Sequence, residues 1–121
     1  MKRREFLKGT ALGVAATAAG NRISAGAEGN PVRVLCWSEL TEPKEVYPDG
    51  INGALKEYLK TQPGMSVRTA SINDPDQGLS NRTLDEVDVL IWWGHSKHED
   101  IHFDRVAQVK QRVERGKLGV I

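Results

Sequence analysis

The chain has a single cysteine, Cys36, so no intrachain disulfide can form. It lies in an apolar run, where a thiol is more often a buried, inert packing group than a reactive one. No continuous apolar stretch reaches the roughly 20 residues that a membrane-spanning helix needs. The nearest, residues 9–20, is short and rich in Ala, Gly and Thr, so no stable membrane span is expected. There is no G-x-S-x-G, no P-loop and no dinucleotide-type glycine pattern, and no motif specifies a cofactor. The sequence shows no internal repeat.

The first signal that is present is N-terminal. Lys2-Arg3-Arg4-Glu5-Phe6-Leu7-Lys8 follows a twin-arginine export pattern. A weakly apolar segment comes next, then Ala25-Gly26-Ala27, a small-x-small cleavage site. Residues 1–27 therefore read as a twin-arginine signal peptide, with the twin-arginine translocase as partner during export and a periplasmic or secreted destination. Without them, 12 basic face 15 acidic side chains, a formal charge of −3. No basic stripe remains to neutralise phosphates, so nucleic-acid binding is not expected.

Residues 28–121 alternate strand and helix signals. Residues 31–38 (P-V-R-V-L-C-W-S) form a β-rich run, with Pro31 tolerable at its first position. After a polar loop, Asp49 is placed to cap a helix whose apolar face is Ile51, Ala54, Leu55, Tyr58 and Leu59. Pro63-Gly64 stops it. Residues 65–72 read as a strand near an edge. Asp74-Pro75-Asp76-Gln77-Gly78 is turn chemistry, and Ser80 or Asn81 caps a short helix. The run Asp88–Trp93 is a buried strand. Phe103, Val106, Val109 and Val113 mark a helix over about residues 101–115, stopped by Gly116. A last strand begins near Leu118.

This order predicts right-handed crossovers and a parallel sheet. The expected fold is α/β, a flavodoxin-like three-layer α/β/α arrangement with strand order 2-1-3-4, incomplete at its C-terminal side. In such sheets ligands bind where the winding reverses, here between the carboxyl ends of the first and third strands.

Two loops converge there. The first holds Trp37, Ser38, Glu39, Thr41, Glu42, Lys44, Glu45 and Tyr47; the second holds Trp93, Gly94, His95, Ser96, Lys97, His98 and Glu99. Tryptophans at a rim suit stacking on sugar rings. Carboxylates, hydroxyls and imidazoles suit sugar hydroxyls, which both donate and accept. His95 and Glu39 are the candidate catalytic pair, and Trp37, Tyr47, Trp93, Gly94 and His98 the candidate binding residues. Each also has a structural alternative. Trp92 reads as core, and Glu42, Lys44 and Glu45 as solvated loop charges. A metal held by His95, His98 and Glu39 is a weaker alternative, and no metal ligand is assigned.

Several stretches taken together resemble the ThuA-like trehalose-utilisation family: V-L-C-W-S-E, T-E-P-K-E-V-Y-P-D-G-I-N, D-P-D-Q-G-L and D-V-L-I-W-W-G-H-x-x-H. The resemblance covers about residues 32–121. It implies a class I glutamine-amidotransferase-like fold and a role linked to trehalose or a related carbohydrate, with a disaccharide or oxidised sugar as the expected substrate class. The carry-over falls on Trp37, Glu39, Tyr47, Trp93, Gly94, His95 and His98. Family members continue past the last strand here, through a turn bearing histidine and serine, so the expectation is a truncated domain. Three readings follow: an enzyme with His95 as acid/base and Glu39 as its orienter, a noncatalytic carbohydrate-binding module, or an inactive fragment.

Overall fold

A computed structural model describes residues 29–121. The expected signal peptide and its cleavage site, residues 1–27, lie outside the described residues.

Four strands form one all-parallel sheet: β1 (Val32–Ser38), β2 (Met65–Ser71), β3 (Val89–Trp93) and β4 (Gly119–Val120), in spatial order β2-β1-β3-β4. This is the expected order 2-1-3-4 of a small flavodoxin-like α/β fold. Among the described residues, three helices connect the strands: α1 (Gly50–Leu59), α2 (Asn81–Asp85) and α3 (Phe103–Glu114). None is long and apolar enough to cross a membrane.

Strand β1 is the centre of the molecule. It pairs with β2 on one side and β3 on the other, and residues 34–38 are all buried. Burial on both faces explains why its sequence is a continuous apolar run rather than an alternation. On one face Leu35 and Trp37 join Leu79, Leu84, Leu90, Ile101, Val109 and Leu118 in the main core beneath α2 and α3. On the other face Cys36 and Ser38 lie under α1. Burial pushes the Cys36 thiol up, with Lys56 opposing weakly, so the thiol stays protonated.

Both longer helices depart from their expected faces. In α1 the buried positions are Gly50 and Asn52, while Tyr58 is 65% exposed. The Asn52 side-chain amide donates to the Ala70 carbonyl at 2.9 Å, which satisfies a buried polar group at the helix–sheet contact. Asp49 makes no capping bond. Glu42 does that work instead, accepting the Ile51 N–H at 2.6 Å. In α3 only Val109 of the expected stripe is buried, and Phe103 is 88% exposed. The inward row is Arg105, Val109 and Arg112, at i, i+4 and i+7. The arginine stems lie along the core while their guanidinium groups reach out to Leu79 O and Asp85. Ser80 caps α2 as expected, its hydroxyl accepting the Thr83 N–H.

Candidate functional site

The carboxyl ends of β1 and β3 are adjacent, with Ser38 in register with Trp93. The two expected loops therefore meet, but through a contact that reassigns several of their residues.

Glu39 follows β1 and is fully buried. Its Oε1 accepts the Ser96 N–H at 2.8 Å and the Thr41 hydroxyl at 3.1 Å; its Oε2 accepts the Lys97 N–H at 3.0 Å. The His95 N–H also points at this carboxylate. Successive N–H groups curled around an anion form a nest, and here the anion is the protein's own side chain. Burial alone would raise this carboxyl; the N–H groups of Ser96, His95 and Lys97 and the Thr41 hydroxyl outweigh it and hold it below the ordinary carboxylate range. A carboxylate so engaged, and held low, is a poor base. Glu39, expected as a catalytic partner of His95, is placed with its carboxylate on the Ser96 and Lys97 amides.

Gly94 is exposed and fits the same clamp. A Cβ there would lie 3.0 Å from Trp92 Nε1 and 3.2 Å from Glu39 Oε2, tighter than ordinary packing. Its part is close approach of the loop to Glu39.

Trp37, expected as a binding residue, is buried. It has no exposed face, and its indole N–H donates to the Gln77 carbonyl at 2.7 Å. Its ring packs on Trp92 with centroids 4.7 Å apart. It is core, and no sugar can stack on it. Trp92 packs against the same core, as expected.

Trp93 leaves β3 on the α1 face and is only half-buried. The His95 ring stacks on it, with centroids 6.1 Å apart and planes 25° from parallel. His95 is exposed, as is His98, which begins a 3₁₀ turn over His98–Asp100. His95, His98 and Glu39 do not assemble into a metal-ligand group; among the described residues no cluster of three such side chains does. Tyr47 is half-buried beside a cleft of about 240 Å³ lined by Leu40, Glu42, Lys44, Asp49 and Gly50.

Three residues of this edge were not legible as such. Glu42 is buried rather than solvated, accepting both the Ser38 hydroxyl and the α1 amide. Leu40 sits at φ 58°, a left-handed conformation that costs a non-glycine residue about 1–2 kcal/mol. Its N–H donates to the Ser38 hydroxyl at 2.9 Å, which fixes the turn out of β1. Gln77 anchors Trp37. Hydropathy gives no sign of a buried carboxylate; the only cue was the D-P-D-Q-G turn around Gln77.

Two larger clefts, about 560 and 660 Å³, open at the amino end of the strands around the Arg33–Asp88 ion pair. Asp88 accepts the Arg33 backbone N–H and the Nε–H and Nη2–H of its guanidinium. This ties the start of β1 to the start of β3.

No family model and no curated protein matches this chain.

The surface this leaves is specific in chemistry. Trp93 and His95 bring two stacked aromatic rings to this edge, and the exposed imidazole can both donate and accept hydrogen bonds. Two anion-binding positions of this edge, the loop nest and the α1 N-terminus, already hold internal carboxylates, so an anionic ligand at either would have to displace Glu39 or Glu42.

Proposed function

We propose that this chain is an exported, ThuA-like carbohydrate-binding domain for trehalose or a related sugar. Its ligand edge is Trp93 with His95, flanked by His98 and Tyr47. The observation that carries this reading is the stack of the exposed His95 ring, on a loop fixed by Glu39, against the half-buried Trp93 at the end of β3. A neutral, hydroxyl-rich ligand suits an edge where the loop nest and the α1 N-terminus are already occupied by Glu39 and Glu42. The family resemblance of residues 32–121 supports the same ligand class.

Noncatalytic binding is the form the geometry favours, because Glu39 is committed to backbone amides and cannot serve as His95's acid/base partner. The enzyme reading rests on His95 alone, an exposed imidazole available for proton transfer.

The test is equilibrium titration of the protein, as secreted, with trehalose, followed by tryptophan fluorescence. Saturable binding that weakens at least several-fold in Trp93→Ala supports the reading, since an aromatic contact carries about 0.5–1.5 kcal/mol beyond its buried area. A flat titration overturns it. For export, Arg3→Lys with Arg4→Lys should hold the precursor in the cytoplasm, and N-terminal sequencing of the mature chain should begin after Ala27. Unchanged secretion of the double variant overturns the twin-arginine route.

A further inference from the structure

The D-P-D-Q-G turn lies far in sequence from the ligand edge, yet its Gln77 reaches it. Gln77 sits at φ 56°, directly after Asp76 at φ 54°, so two non-glycine residues in a row are left-handed. This backbone turns the Gln77 carbonyl onto the buried Trp37 indole at 2.7 Å. The side chain then points the other way. Its Oε1 accepts the His102 N–H at 2.7 Å, and its Nε2 donates to the Asp100 carbonyl at 2.9 Å.

Asp100 and His102 close the loop that Gly94 opens. That loop is longer than the usual two to six residues of a strand–helix connection. Left to itself it would fluctuate, and ordering it on binding would cost affinity. It is instead held at two places. Glu39 grips residues 95–97 and Gln77 grips residues 100–102. Both anchors trace to the end of β1, one through Glu39 and one through Trp37. Between them stands the 3₁₀ turn that carries His98 and Glu99.

We infer that Gln77 is a positioning residue for the ligand-binding loop: together with Glu39 it clamps residues 94–102 at both ends, keeping His95 on Trp93 and presenting His98 in a fixed turn. The affinity part of this inference rests on the proposed carbohydrate reading; the loop-order part does not. The clamp is a preorganising device built from groups that never touch the ligand.

Three variants test it. Gln77→Ala removes both side-chain bonds. Gln77→Gly does the same while suiting the left-handed backbone, so it separates clamp loss from backbone strain. Gln77→Glu keeps an acceptor for His102 and loses the donor to Asp100. Amide hydrogen exchange is read at His102, Ser96 and Lys97, alongside global unfolding and trehalose affinity. In Gln77→Ala and Gln77→Gly, exchange at all three amides should rise about tenfold or more, as expected for two lost hydrogen bonds. The Gln77→Gly unfolding midpoint should hold, and Gln77→Glu should fall between these variants and the parent. Acceleration confined to His102, with Ser96 and Lys97 unchanged, overturns the clamp. If the parent binds trehalose, an unchanged affinity in Gln77→Gly overturns its positioning role. If the parent does not bind it, the carbohydrate reading fails, and the exchange data alone decide the clamp.

Discussion

The Glu39 carboxylate accepts the main-chain N–H of Ser96 at 2.8 Å, joining residues 57 apart in sequence across the β1–β3 seam. The bond is buried at its acceptor and charge-assisted, and the Lys97 amide doubles it. Glu39→Ala should therefore destabilise the protein by about 1.5–3 kcal/mol, because it removes the charged acceptor that holds the Ser96 and Lys97 amides. Glu39→Gln should cost less, since one carbonyl oxygen still accepts while its NH₂ opposes the other N–H. Urea unfolding of both variants checks the order.

Acid should act through the same group. The Glu39 carboxyl is held below the ordinary range in the folded state, so the unfolded chain binds its proton more readily. Its stabilisation is present above the unfolded value, about 4.3, and is lost as pH falls through the lowered folded value. Asp88, lowered chiefly by its hydrogen bond to Arg33, adds a loss of the same sign. That pair is about half exposed, so salt should screen its share. Unfolding free energy measured downward from pH 6 should fall, and the fall should be shallower in Glu39→Gln. An equal slope in both proteins would assign the acid sensitivity elsewhere.

Trp37 should prove structural. Trp37→Phe leaves the Gln77 carbonyl without its indole donor and should cost about 1–3 kcal/mol. Trehalose affinity per folded molecule should change less than for Trp93→Ala. Paired unfolding and titration of the two variants makes the comparison.

Surface and core positions of α3 should separate sharply. Phe103→Ser, at an 88% exposed site, should shift stability by about 0.5 kcal/mol or less. Val109→Ala, beneath the helix, should cost about 1–3 kcal/mol. Thermal unfolding of the two variants tells them apart.

The fold could be read in the sequence because β1 and β3 are continuous apolar runs and turn residues punctuate the connections. The pattern misled where polar groups do the packing. In α3, hydropathy favoured Phe103, Val106 and Val113, but the inward row uses the stems of Arg105 and Arg112, which hydropathy scores as surface. In α1, Asn52 replaced an apolar contact because it could bond a β2 carbonyl. At the site, sequence reasoning brought the right loops together. It did not foresee the burial of Glu39 and Trp37, because proximity to a strand end says nothing about which way a side chain is turned, or which donors it meets.

The most direct measurement is a chemical-shift map of the protein titrated with trehalose. The Trp93 indole and His95 ring resonances should move together and saturate. The Trp37 indole should stay still. His95→Ala should weaken binding far more than His98→Ala, because His95 is fixed by its stack and by the Glu39 grip on its peptide. Shifts centred on the clefts at the amino end of the strands, or no saturable shift at Trp93 and His95, would contradict the account.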